Sequence, residues 1–89
     1  MITKRIQVFG KVQGVFFRAS TKAKAEELGL QGWVKNELDG SVLMEVTGDL
    51  PSVEKLLDWC HKGPMLANVN RLEATDVAFS AHAGFSITT

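Results

Sequence analysis

The chain has 89 residues, enough for one domain, which excludes a two-domain enzyme with a cleft between its domains. Hydrophobic residues make up 45% and charged residues 22%, a composition typical of a folded protein and unlike a disordered or collagenous chain. The single cysteine, Cys60, excludes an internal disulfide, and we find neither a secretory signal nor a membrane-spanning run. We therefore expect residues 1–89 to form one cytoplasmic, monomeric domain.

The formal net charge is zero, but the charges are unevenly distributed. Residues 1–36 hold seven cations and two acids, whereas residues 37–89 hold three cations and eight acids. This segregation is either an accident of a solvated surface or a positive local field that attracts a small anion. A nucleic-acid partner is not expected, because the isoelectric point of about 6.7 lies below the values typical of nucleic-acid-binding domains.

Hydrophobic periodicity predicts the elements of the first half of the chain. Residues 5–11 alternate between apolar and polar positions, which predicts a strand. Ala19–Leu28 contains mostly helix-forming residues and predicts a helix. A β-hairpin follows, with one strand beginning at Trp33-Val34, a turn at Asp39-Gly40 and a second strand over residues 42–47.

The second half of the chain completes the pattern. A helix is predicted from Pro51 to Lys62, followed by strands over Val69–Val77 and Phe85–Ile87. The order β-α-β-β-α-β with a terminal strand predicts an α+β, ferredoxin-like split βαβ sandwich. We expect an antiparallel sheet of four to five strands with two helices on one face. The fold alone names no activity.

A glycine-containing segment joins the first strand to the first helix. It runs Gly10–Arg18 and reads GKVQGVFFR. A loop containing Gly14 can direct several backbone N–H groups at one anion, and the following helix adds the positive end of its dipole. Arg18 offers a planar fork of donors that matches two phosphoryl oxygens. The segment therefore predicts a phosphate cradle.

The residues of this segment exclude two other kinds of phosphate-binding loop. A Walker loop requires a Gly-Lys-Ser/Thr ending, which is missing. A cysteine nucleophile six residues before Arg18 is also missing, because Val12 stands there. Cleavage of a phosphate at this loop is therefore expected to proceed by direct attack of water, with no covalent cysteine intermediate.

A second segment, Gly32–Val42, reads GWVKNELDGSV and places Asn36 where the strand ends. An isolated asparagine there would be a turn or sheet-edge residue. Together, however, the two segments resemble the acylphosphatase signatures Gly-x-Val-Gln-Gly-Val-x-Phe-Arg and Gly-Trp-Val-x-Asn-x-x-Asp-Gly-x-Val, both complete. The resemblance continues through Gly63-Pro64 to Phe85-x-Ile87.

The resemblance implies an enzyme that hydrolyses the carboxyl-phosphate bond of acyl phosphates to a carboxylate and inorganic phosphate, with no metal or organic cofactor. Carried over from the family, Arg18 binds the phosphate and Asn36 orients the attacking water. No general base is conspicuous near either segment, so we expect a substrate phosphate oxygen to take the water proton. The predicted phosphate-binding residues are Gln13, Gly14, Val15, Phe16, Phe17 and Arg18.

Two other functions remain open from the sequence. One is an acylphosphatase-like module that binds phosphate or a partner without useful catalysis. The other is an RNA-binding ferredoxin-like domain, which would need exposed aromatic residues on its central strands. Phe16 and Phe17 are consecutive in a loop, so we expect both to pack beneath the phosphate loop instead of stacking on bases.

Three further side chains have chemistry that the two segments do not use. Cys60 and His61 are neighbours on a helix and point about 100° apart, so we expect a core cysteine and a surface histidine. His82 has no second ligand at metal-binding spacing, and no metal site is expected.

Overall fold

The computed structural model describes residues 1–88, and its helices and strands follow the predicted order. Element boundaries move by a few residues: the first strand begins three residues earlier than predicted, and the first helix begins two residues earlier than its alanine- and lysine-rich stretch. None of the helices within residues 1–88 has the length and apolar character needed to cross a membrane. The elements are β1 (Ile2–Lys11), α1 (Phe17–Glu27), β2 (Gln31–Asn36), β3 (Val42–Gly48), α2 (Leu50–Lys62), β4 (Asn68–Val77) and β5 (Phe85–Ile87).

The five strands form one sheet in the order β4-β1-β3-β2-β5. The first four strands pair antiparallel, as predicted, but β5 pairs parallel to β2. The direction of β5 was therefore predicted wrongly. Val77, at the end of β4, pairs with Thr3, so β4 ends at the edge of the sheet where β2 begins. The chain crosses the sheet at that edge, and β5 therefore starts beside the start of β2 and runs in the same direction.

The core lies between one face of the sheet and the two helices. Ile6 of β1 pairs with Met44 of β3, Val34 of β2 pairs with the same methionine, and all three are fully buried. Their side chains meet those of the helices because alternate strand residues share a face. The predicted ferredoxin-like class, with two helices on one face, is confirmed. The helix residues buried in this core include Phe17, Ala25, Val53, Leu56 and Cys60.

The opposite face of the sheet is crossed by residues 78–84, which connect β4 to β5. Thr3 and Thr47 are buried there, and their hydroxyl groups contact each other at 2.7 Å. The Thr47 hydroxyl donates to the carbonyl of Ser80 at 2.7 Å, and the Ser80 N–H donates to Thr3 Oγ1 at 3.0 Å. Polar contacts thus hold the connection against the sheet and fix where β5 begins.

A partly buried ion pair fastens the same connection. Glu45 of β3 is only 7% exposed; its carboxylate lies 2.9 Å from Nε2 of His82 and accepts a hydrogen bond from Nε of Arg5 at 3.0 Å. Burial raises the pKa of Glu45, but the hydrogen bonds and charges of Arg5 and His82 lower it by more, so the pKa lies below its ordinary value of 4.5.

We expect Glu45→Gln to destabilise the protein by about 1 kcal/mol at neutral pH. A carboxyl whose pKa is lowered by folding contributes stability above its unfolded pKa, and that stability is lost as the pH falls through the folded pKa. The difference between wild type and variant should therefore shrink as the pH falls below 4.5. Urea unfolding across this range measures it, with the exposed Glu54→Gln as control; a pH-independent difference would contradict the assignment.

Candidate active site

The loop between β1 and α1 has an unusual backbone. Gly14 has a φ of 74°, and Phe16 has a φ of 66° and a ψ of 22°, so two residues of this short loop are left-handed. Alternation of left-handed and right-handed residues turns successive N–H groups toward one side of the chain, which forms a concave anion site. The loop that the sequence singled out therefore has the backbone form that such a cradle requires.

Helix α1 begins directly at this loop and its start is uncapped. Phe16 occupies the N-cap position, no side chain accepts a hydrogen bond from the first turn, and that turn contains no acid. The first hydrogen bond of the helix is donated by the N–H of Ser20 to the carbonyl of Phe16, at 3.0 Å. The N–H groups of residues 17–19 come before it and have no acceptor within the helix. The positive end of the helix is left for an external anion.

A surface cavity of about 310 Å³ lies at this helix start and joins the two sequence segments. Arg18 of α1 and Asn36, the last residue of β2, both line it. Of the predicted phosphate-binding residues, Gly14, Phe16, Phe17 and Arg18 line it, whereas Val15 is buried beneath the loop. The complete lining is Val12, Gly14, Phe16, Phe17, Arg18, Ala19, Asn36 and Ile87.

Asn36 lines this cavity and has a buried side-chain oxygen without a partner in the described part of the chain. Its Oδ1 is buried and has no hydrogen-bonding partner within residues 1–88. A buried acceptor without a partner costs about 1–3 kcal/mol, so such atoms call for an explanation. The residue pairs with Val42 at the end of the β2–β3 hairpin, which fixes its backbone while leaving the amide uncommitted. The arrangement suits an amide whose partner is a ligand or a water brought with it.

Gln13, one of the predicted phosphate-binding residues, uses its side chain for another contact. Its Nε2 donates to the carbonyl of Glu37 at 2.8 Å and to that of Ser41 at 2.9 Å. Both amide hydrogens are thereby used, so the side chain has no donor left for a phosphate. It ties the phosphate loop to the hairpin that contains Asn36, and only the backbone of Gln13 remains a predicted phosphate ligand.

The turn that receives Gln13 is itself ordered by a carboxylate. Asp39 Oδ1 accepts hydrogen bonds from the hydroxyl of Ser41 at 2.6 Å and from its N–H at 2.9 Å. These bonds, the hydroxyl bond most strongly, hold the pKa of Asp39 below its ordinary value. The Asp-Gly-Ser part of the second segment thus shapes the turn that positions Asn36, and it does not line the cavity.

We expect Gln13→Ala to lower kcat about tenfold while leaving the fold intact, because small displacements of positioned groups are costly in catalysis. The matched control is Gln7→Ala: Gln7 donates to the Ser41 hydroxyl at 2.9 Å but lies on β1, outside the loop. Steady-state kinetics with circular dichroism measure both variants. Equal kcat values for the two would show that the loop–hairpin contact does not position the site.

The two consecutive phenylalanines of the loop separate into different environments. Phe17 is 1% exposed and its ring packs against Trp59 with centroids 5.5 Å apart, as expected for a residue beneath the loop. Phe16 was expected there too, but the residue is 73% exposed. That prediction was wrong because the left-handed backbone at Phe16 directs successive side chains to different sides of the loop.

The remaining candidate groups lie away from the cavity. Cys60 is fully buried in the core and His61 is exposed, which confirms the prediction for this pair. Burial raises the pKa of the Cys60 thiol to about 12, so it is not a thiolate nucleophile at neutral pH. Across residues 1–88, histidine, cysteine and acidic side chains form no group of three or more that could hold a metal ion.

Three cavity residues, Val12, Ala19 and Ile87, were not among the predicted site residues, and Ile87 is the one that lies outside both segments and far from them in the chain. It lines the cavity from β5, whose position beside β2 depends on the parallel pairing that we had not predicted. The only sequence signal was the Phe85-x-Ile87 ending of the resemblance, which names the residue but not its place. A long crossing connection gives no local clue to the strand that it will reach.

The fold and the cavity together define a class of protein: a ferredoxin-like domain whose cavity, at an uncapped helix N-terminus, is lined by an arginine of that helix and an asparagine at the end of strand β2. The acylphosphatase family model matches residues 4–87, nearly the whole chain. The chain therefore belongs to the acylphosphatase family, and the resemblance found from its two sequence segments is confirmed.

Individual relatives agree with this assignment. An acylphosphatase of Acidovorax sp. (strain JS42) is 42% identical over 84 residues, which cover 94% of this chain and 87% of the relative. An acylphosphatase of Methylococcus capsulatus is 51% identical over 77 residues, 84% of each chain. The crystal structure of acylphosphatase from Bacillus subtilis has a TM-score of 0.96 and 32% identity, and the match covers 100% of both chains.

Proposed function

We propose that this chain hydrolyses acyl phosphates by direct attack of water on a phosphoryl group held by Arg18 and the loop N–H groups, with the water held by Asn36. Membership of the acylphosphatase family supplies the activity, hydrolysis of an acyl phosphate to a carboxylate and inorganic phosphate. The division of roles between residues rests on one observation: the uncapped helix start, with Arg18, lines the same cavity as Asn36, whose buried side-chain oxygen has no partner within residues 1–88.

The anchor acts on the charge of the phosphoryl group. The guanidinium of Arg18 pairs with two of its oxygens, and the N–H groups of the loop and first helical turn donate to the equatorial oxygens. The N–H donors are held by the backbone before substrate arrives, so they need no reorganisation as charge shifts in the transition state. Each such donor is typically worth about 3–4 kcal/mol in the transition state.

The Asn36 amide would hold the water in line with the bond that breaks. The water oxygen forms a bond to phosphorus while the bond from phosphorus to the acyl oxygen breaks, and the carboxylate leaves with the bonding electrons. A carboxylate is a good leaving group, so no general acid is needed, and positioning with charge stabilisation suffices. Because neither an arginine nor an asparagine side chain acts as a base at neutral pH, we assign the water proton to a phosphate oxygen.

We expect the pH profile of kcat to show no essential protein group titrating near neutrality. Arg18 and Asn36 are the polar side chains that line the cavity in residues 1–88, and the described lining contains no histidine, thiol or carboxylate to act as a base. Initial rates with benzoyl phosphate across this range measure the profile. An apparent pKa near 7 that persists when the substrate is changed would point to a base and overturn the proton assignment.

Hydrolysis in water enriched in oxygen-18 tests the direction of attack. Attack on phosphorus places the label in inorganic phosphate and leaves the carboxylate unlabelled. Mass spectrometry of both products from benzoyl phosphate measures this, with EDTA present throughout. Label in benzoate would show attack at the carbonyl carbon and refute the proposed mechanism, even though the overall reaction would be the same.

We propose further that residues 1–89 act as one monomeric, cytoplasmic domain. One hydrophobic core unites both helices with the sheet, and the lone cysteine is buried in it. No nucleic-acid partner is proposed, since the isoelectric point is about 6.7. Light scattering at the concentration used for kinetics tests the monomer; a dimer mass there would contradict it.

A further inference from the structure

Two apolar side chains at the cavity are exposed to solvent, unlike those of the core. Phe16 is 73% exposed and Ile87 is 40% exposed, and both line the cavity with Arg18 and Asn36. We propose that Phe16 and Ile87 form the binding surface for the acyl group and select uncharged, apolar acyl phosphates, aromatic ones above all. This inference rests on the proposed function, because it assigns the other end of the same substrate.

The backbone at Phe16 points to a role outside packing. A left-handed residue with a side chain costs roughly 1–2 kcal/mol, and glycine would avoid this cost. Burial of the side chain does not offset it, because Phe16 is 73% exposed. A strained residue at a binding site is a reason to look for function. The local backbone here presents an aromatic ring to solvent at the mouth of the phosphate cradle.

Ile87 reaches the same cavity from the sheet. It pairs with Val34 on β2, two residues before Asn36, and Val34 faces the helices from that strand. Paired residues on neighbouring strands share a face, so Ile87 lies on the helix side of the sheet, in the row next to the end of β2. The acyl group of a substrate whose phosphoryl group occupies the loop would contact this side chain near the water holder.

The charges that line the cavity disfavour substrates whose acyl group is itself negatively charged. Arg18 is the charged side chain among the cavity-lining residues of the described chain, and it is already paired with the phosphoryl group of the substrate. The other lining side chains, apart from Asn36, are apolar. An acyl group bearing a carboxylate or a second phosphate would leave water without gaining a partner, which is unfavourable. We therefore expect such substrates to be poor despite having the same reactive bond.

Three substrates separate these classes: acetyl phosphate, benzoyl phosphate and succinyl phosphate, whose free carboxylate supplies a distal charge. For the wild type we expect kcat/KM to be about tenfold higher for benzoyl than for acetyl phosphate, and lowest for succinyl phosphate. The intrinsic reactivity of the three anhydrides cancels when variants are compared. The informative quantity is thus the benzoyl-to-acetyl ratio of kcat/KM in each protein.

Ile87→Thr and Phe16→Asn remove apolar surface from the two sides of the cavity; asparagine tolerates the left-handed backbone well. We expect each to lower the benzoyl-to-acetyl ratio about fivefold, while Phe16→Leu retains most of it. The matched control is Met65→Ser, which removes a 97% exposed apolar side chain outside the cavity and should leave the ratio unchanged. Circular dichroism establishes that each variant is folded.

The outcomes distinguish this inference from the proposed function. The acyl-binding surface would be overturned, with hydrolysis intact, by unchanged ratios in Ile87→Thr and Phe16→Asn. Equal wild-type kcat/KM values for succinyl phosphate and benzoyl phosphate would overturn it too. A folded wild type that hydrolyses none of the three would refute the proposed function itself. Reduced ratios in both variants with the control unchanged would support the assignment.

Discussion

Replacing Arg18 with alanine is expected to lower kcat/KM for acyl phosphates by at least about a hundredfold and to remove stabilisation of the fold by inorganic phosphate. The guanidinium carries the full positive charge at the cavity. It pairs with the phosphoryl group in the substrate, in the transition state and in the product. Kinetics with benzoyl phosphate and thermal unfolding with and without phosphate measure the two effects.

Two further variants make this result specific. Arg18→Lys keeps the charge but loses the planar fork, so we expect it to recover phosphate binding in part and activity poorly. Lys22→Ala removes a cation from the same helix, where it pairs with Glu26 four residues on, and should leave activity at the wild-type level. An Arg18→Ala protein as active as Lys22→Ala would show that the guanidinium is not the anchor.

Replacing Asn36 with alanine is expected to lower kcat by about a hundredfold while phosphate binding is retained. The amide is assigned to the attacking water and not to the phosphoryl group, so the loss should appear in kcat. Stability should not fall, because the variant removes a buried oxygen that has no partner in the resting protein. Kinetics and phosphate-dependent unfolding give both readouts.

The control for Asn36 is Asn68→Ala, which removes an exposed asparagine from the edge strand β4. It should match the wild type in kcat and in phosphate binding. Should Asn36→Ala lose phosphate binding to the same degree as Arg18→Ala, the amide would belong to the phosphate anchor. Should it retain wild-type kcat, another group must position the water.

Local pattern accounts for most of what the sequence predicted. The apolar stripe of α2, which includes Val53, Leu56 and Cys60, repeats at helical spacing, so its buried face could be derived from the letters. The same holds for the hairpin around Asp39-Gly40, where turn-forming residues separate two alternating strands. In these elements the nearest neighbours along the chain determine which side chains are buried.

What could not be derived depended on contacts between distant segments. The parallel pairing of β5 with β2 requires residues 78–84 to cross the sheet, and hydrogen bonds to Thr3 and Thr47 hold that crossing. Gln13 stays a predicted phosphate ligand through its backbone, but the contact of its side-chain amide with the carbonyls of a turn about 25 residues away could not be derived from the sequence. Contacts between residues so far apart in the chain leave no periodic pattern in the sequence from which they could be predicted.

The central claim is that Arg18 anchors the phosphoryl group while Asn36 holds the water. The most direct test measures benzoyl phosphate turnover and phosphate-dependent thermal stabilisation side by side for the wild type, Arg18→Ala and Asn36→Ala, all shown to be folded and all in EDTA. We predict that Arg18→Ala loses both properties, whereas Asn36→Ala loses turnover and keeps the stabilisation. Two variants with the same pattern of losses, or a variant with wild-type turnover, would contradict this division of roles.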